Sequence, residues 1–132
     1  MTRLHFHPIK GKALDIIDAI LFTDEVVSVN QALGTIRLVV EELVGNIVNY
    51  SGSDYLDVEV NRDKERFTLR FRDKGIPFNP LEKDPPDTTL PMEQRKIGGL
   101  GIFLVKKEMD AVEYEYTNGE NVLTASLNTL NI

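Results

Sequence analysis

The chain has 132 residues, with 15 Lys+Arg against 21 Asp+Glu for a formal charge of −6, and its 42% apolar and 27% charged residues are ordinary for one soluble domain spanning residues 1–132. It lacks cysteine, which excludes thiol catalysis, thiolate zinc sites and iron–sulfur ligation, and its two histidines, His5 and His7, nearly exclude a nitrogen-ligated metal. An acidic chain with scattered cations lacks the footprint of a nucleic-acid binder, its apolar runs are too short to span a membrane, and MTRLHFHPIK does not resemble a signal peptide, so a cytoplasmic protein is expected.

His5 and His7 alternate on an expected first strand. Leu14, Ile17 and Leu21, with Ile16 and Ile20 beside them, follow helical spacing and predict an amphipathic helix over about residues 11–22. A second helix, running to about Tyr50, gathers Leu33, Ile36, Val40, Leu43, Val44 and Ile47 on one face before Ser51-Gly52-Ser53 ends it. Two runs of period two follow: Leu56, Val58 and Val60, then Phe67, Leu69 and Phe71, with Asn61 to Lys64 as the turn between them. Residues 79–99 hold four prolines and two glycines without regular patterning, which predicts a long loop with a lid over about 82–96. Gly98 to Gly101 then opens a short helix through about Glu108. A second hairpin closes the chain, with Val112, Tyr114 and Tyr116, an Asn118-Gly119 turn, and Val122 to Leu127. Antiparallel strands with one wet face and about three helices predict an α+β fold, a two-layer α/β sandwich with the helices on one face of the sheet.

Three constellations can carry chemistry. Glu42, Asn46 and Asn49 stand at i, i+4 and i+7 on the second helix, a stripe about 60° wide beside the apolar face. A carboxylate there can act as a general base, and an amide oxygen one turn on suits Mg²⁺. Any amphipathic helix also carries polar residues at that margin. Asp73-Lys74-Gly75-Ile76-Pro77-Phe78 puts an acceptor at a strand end beside backbone that a flat ring such as adenine could approach. Asp-x-Gly is equally an ordinary turn signal. Gly98-Gly99-Leu100-Gly101 exposes backbone N–H groups at a helix start, able to cradle phosphate or to serve only as a hinge.

Taken in order, Glu-x-x-x-Asn on a helix, Asp-x-Gly after a strand, a long lid, and Gly-x-Gly opening a helix resemble the N, G1 and G2 boxes of the GHKL ATPase superfamily, whose fold is the Bergerat or histidine-kinase-like one. The stretches EELVGNIVNYS, FRDKGIPFNPL and IGGLGIFLVKKEMDAVEY resemble the small anti-sigma factor serine/threonine kinases, over nearly the whole chain. The resemblance implies ATP and Mg²⁺ as cofactors, with Asn46 the metal ligand and Glu42 the general base. It implies that Asp73 holds the adenine amine, Gly75 lets the ring approach, and Gly99 and Gly101 supply lid and phosphate contacts. It further implies that Thr124 on the last strand helps fix adenine through water. Asn49, Pro77, Gly98 and Leu100 complete the expected nucleotide site. Pro77 stands where the broader superfamily carries a small glycine, and Tyr50 where many relatives carry His.

The expected function is therefore an ATP-dependent protein serine/threonine kinase that phosphorylates a STAS anti-anti-sigma partner and sequesters a sigma factor. A homodimer is implied, with no membrane or nucleic-acid contact. The rival is an ATP-dependent protein-binding switch that transfers no phosphate. A gyrase-type clamp is disfavoured because no transducer domain is expected to follow. Arg95 and Lys96 near the lid end could meet phosphate or a partner, or could simply be solvated.

Overall fold

A computed structural model describes residues 1–82 and 99–131. The predicted lid beyond Glu82, with Arg95, Lys96 and Gly98, lies outside the described residues. Among the described residues five strands form one antiparallel sheet: β1 (Thr2–Phe6), β2 (Leu56–Arg62), β3 (Arg66–Asp73), β4 (Ala111–Thr117) and β5 (Glu120–Asn128), in the order β1-β2-β3-β5-β4. Four α-helices accompany it there: α1 (Ala13–Leu21), α2 (Asp24–Val27), α3 (Leu33–Tyr50) and α4 (Gly99–Glu108). This is the expected two-layer α+β architecture. α2 is not legible in the sequence, because a single turn carries no readable periodicity, and β1 ends at Phe6, so His5 lies on it and His7 does not.

The turns behave as their residues dictate. Asn118 and Gly119 both have positive φ, 53° and 78°, as the tight β4–β5 hairpin requires. The β2–β3 turn is shorter than predicted, since β2 continues through Arg62. Asp63 Oδ1 closes it by accepting the N–H groups of Glu65 and Arg66, both at 2.8 Å. α3 stops where Gly52 takes φ 74°, the left-handed conformation that ends many helices.

Strand alternation sorts the sheet into two faces. Leu56, Val58 and Val60 of β2, Phe67, Leu69 and Phe71 of β3, and Leu123, Ala125 and Leu127 of β5 are buried against the helices. On α3 the buried residues are Ile36, Val39, Val40, Leu43 and Val44, a stripe at i, i+3, i+4, i+7 and i+8. Leu33 and Ile47, predicted for the same face, are half-buried at its margin. α3 packs between α1 and α4, so its polar edge runs alongside α4 and looks along the sheet toward the end of β3. The intervening strand residues, Asp57, Glu59, Arg70, Arg72 and Thr124 among them, occupy the face without helices.

Candidate functional site

A cleft opens where α3, the end of β3, its following loop and the β4–β5 hairpin converge. Its walls are mostly apolar: Leu43 and Ile47 from α3, Phe71 and Leu123 from the sheet, and Ile76, Phe78 and Pro80 from the loop after β3. Ile76 and Phe78 are exposed although apolar, which suits residues at the mouth of a ligand cleft. The polar lining is short: Asn46, Ser51, Asp73, Tyr114 and Asn121.

Asp73 is 4% exposed at the last position of β3. Burial, the largest influence, pushes its carboxyl above the ordinary value of 3.8, opposed by hydrogen bonds from the Gly75 N–H and the Asn121 amide and assisted by the nearby Glu120 charge. Both bonds fall on Oδ1, from Gly75 N at 2.8 Å and Asn121 Nδ2 at 3.1 Å. Among the described residues no hydrogen bond falls on Oδ2, which leaves it to a donor in the cleft.

Asn121 is the functional residue that sequence reasoning missed. It lies directly across the β3–β5 ladder from Asp73, and its amide is fully used. Nδ2 also donates to the Ile76 carbonyl at 2.9 Å, while Oδ1 accepts from the Phe78 N–H at 3.1 Å and from the Tyr114 hydroxyl. One side chain thus holds the carboxylate and the loop that follows it. The signal was the strand register, which a single sequence does not print.

Gly75 also carries a constraint from the fold itself. A Cβ there would stand 2.2 Å from the Ser51 carbonyl oxygen, a backbone atom that cannot yield. The Ile76 N–H donates to that same carbonyl at 3.2 Å, so the loop is pressed against the end of α3.

Asn46 lines the cleft, and its buried Nδ2 has no hydrogen-bond partner among the described residues. A buried orphan amide costs about 1–3 kcal/mol, which a ligand's acceptor atoms would recover. Turning the amide over presents its oxygen instead. Among the described residues no cluster of acidic or histidine side chains could hold a metal alone. A lone amide oxygen therefore fits Mg²⁺, which keeps its waters and takes further ligands from phosphate groups. One turn earlier, the Glu42 carboxylate rests against Gly101 in the first turn of α4. That turn carries N–H groups without helical acceptors, which favour negative charge.

Not every expected residue joins this group. Asn49 is exposed on the last turn of α3, and Pro77 is exposed between two residues that do line the cleft. Gly99 and Leu100 start α4. Thr124 is misplaced by the expectation: it pairs with Arg70, not with Asp73, and therefore points to the face without helices, where the Arg70 Nε donates to its hydroxyl at 3.3 Å. Period-two alternation puts it on the wrong side of the sheet to reach the cleft.

Comparison with known proteins agrees with this geometry. A family model described as the histidine kinase-like ATPase domain matches residues 12–127. The chain is similar to the protein named "Serine-protein kinase RsbW" of Listeria monocytogenes serovar 1/2a, 28% identical over 101 residues, covering 70% of this chain and 64% of the relative. It is 27% identical over 101 residues to the protein of the same name in Listeria innocua serovar 6a, with 70% and 64% covered. The chain thus spans less than two thirds of the length of the curated relatives it matches. With most of its residues matched and the sheet order and cleft in place, the chain belongs to the histidine kinase-like ATPase domain family.

Proposed function

We propose that the cleft binds Mg-ATP and that the protein is a serine/threonine kinase acting on a STAS anti-anti-sigma partner, with a sigma factor as a second partner and a homodimer as its assembly. The observation that carries the nucleotide reading is Asp73, a buried strand-end carboxylate with Oδ1 satisfied internally and Oδ2 left for a donor such as the adenine amine. Ile76 and Phe78 supply apolar surface for the ring. Asn46 would hold the metal, and the first turn of α4, Gly99 to Gly101, would offer its N–H groups to phosphate. Bound Mg²⁺ neutralises charge on the phosphates. In the transfer step the acceptor hydroxyl oxygen bonds the γ-phosphorus, the bond from that phosphorus to the β-phosphate oxygen breaks, and ADP leaves with the electron pair. Glu42 takes the hydroxyl proton. The kinase assignment and the partners are supported by the motif resemblance and by the similarity to proteins named serine-protein kinase.

Incubation with radiolabelled ATP, Mg²⁺ and the STAS protein encoded nearest to this chain tests the proposal. Label on the STAS protein is the expected result. Nucleotide binding with the partner's mass unchanged after prolonged incubation would replace the kinase by an ATP-dependent binding switch.

A further inference from the structure

Gly101 is the third residue of α4, and its backbone does not require glycine, since the positive-φ glycines described are Gly11, Gly52 and Gly119. Glycine inside a helix is intrinsically unfavourable relative to alanine. What occupies the space of the missing side chain is Glu42. A Cβ built on Gly101 would lie 1.9 Å from its Cδ, 2.0 Å from Oε2 and 2.3 Å from Oε1. We infer that Gly101 is a positioning residue for Glu42: its bare Cα is the seat that holds the carboxylate against the first turn of α4, one helical turn before the cleft residue Asn46.

The contrast with Gly75 shows why this is a functional rather than a folding constraint. At Gly75 the obstacle is main chain, the Ser51 carbonyl, so a methyl group there strains the fold. At Gly101 the obstacle is the far end of a flexible side chain. An alanine would be accommodated by Glu42 swinging away, and a base displaced by an ångström or two no longer meets the acceptor hydroxyl in line. The fold survives and the chemistry is lost. The catalytic consequence rests on the kinase reading; the seat itself does not.

Two experiments separate these. In nucleotide-free protein, thermal unfolding is measured for Gly101→Ala with Glu42 present and in a Glu42→Ala background. With Glu42→Ala the substitution should raise the midpoint, as Gly to Ala in a helix does, and with Glu42 present that gain should vanish or reverse. Equal shifts in both backgrounds would overturn the seat. In the transfer assay, Gly101→Ala should lower turnover roughly 100-fold while nucleotide affinity changes less than about threefold, because the backbone N–H is kept. Glu42→Asp should impair the wild-type protein yet partly rescue Gly101→Ala, since a carboxylate one methylene shorter fits beside the added methyl. Losses that simply multiply would refute the positioning role. If the wild-type protein transfers no phosphate to any STAS partner, the kinase reading fails and the unfolding cycle alone decides the seat.

Discussion

Asn121 faces Asp73 across the β3–β5 ladder and donates to its Oδ1 at 3.1 Å, so the orientation of this buried carboxylate is set from the neighbouring strand. Replacing Asn121 by Leu leaves the Ile76 carbonyl, the Phe78 N–H and the Tyr114 hydroxyl without that amide. The expected cost is about 1–3 kcal/mol in urea unfolding, accompanied by weaker ATP binding, because the buried Asp73 carboxylate and part-buried loop groups lose this amide together. Unchanged stability would mean that the network is not rigid in solution.

Asp73→Asn should separate stability from binding. An amide oxygen can still accept from Gly75 and Asn121, but its amino group presents a donor where a donor must be received. ATP affinity should fall by about 1–3 kcal/mol, roughly 5- to 150-fold, in calorimetric titration. Undiminished affinity would remove Asp73 from the site.

The same carboxyl has a pH signature. Burial raises its folded-state pKa above the ordinary 3.8, so within the window just above 3.8 the folded chain holds more protons than the unfolded one. Stability from this group therefore declines as pH rises through that window and levels off above the raised value. Asp73→Asn should abolish this decline, seen as a flatter pH dependence of the unfolding midpoint in nucleotide-free protein.

Glu42 and Asn46 should fail differently. Glu42→Ala should keep nucleotide binding and lose transfer by about 10²- to 10⁴-fold, whereas Asn46→Leu should weaken Mg-ATP binding itself. Asn46→Leu should also stabilise the nucleotide-free protein by about 1 kcal/mol, because a buried donor without a partner is removed. Destabilisation instead would show that the amide is satisfied in the free protein.

Thr124→Val is expected to leave ATP affinity unchanged, since its hydroxyl faces Arg70 on the far side of the sheet. A loss beyond about threefold would return Thr124 to the site.

Local chemistry made much of this molecule readable in advance. The α3 stripe, both hairpins and the Asn118-Gly119 turn follow from periodicity and backbone preference, and they position the Asp73 corner. Three features escaped because they depend on pairing at a distance. Asn121 matters only once β5 is set in register with β3, and Thr124 fails by that same register. Gly75 is legible as a place where a flat ring could approach, but the Ser51 carbonyl that also excludes a side chain there, 24 positions earlier in the chain, is not. In each case the residue type was visible and its neighbour was not.

The contact between Ser51 and the Gly75–Ile76 loop turns α3 into a molecular ruler. Glu42 and Ser51 stand nine residues apart along α3 and its C-cap, about 13 Å on the helix axis, so the Asp73 corner and the carboxylate beside α4 are held at a fixed interval. On the proposed reading, length becomes a selection criterion independent of base identity, and a nucleoside monophosphate should bind at Asp73 without engaging Glu42.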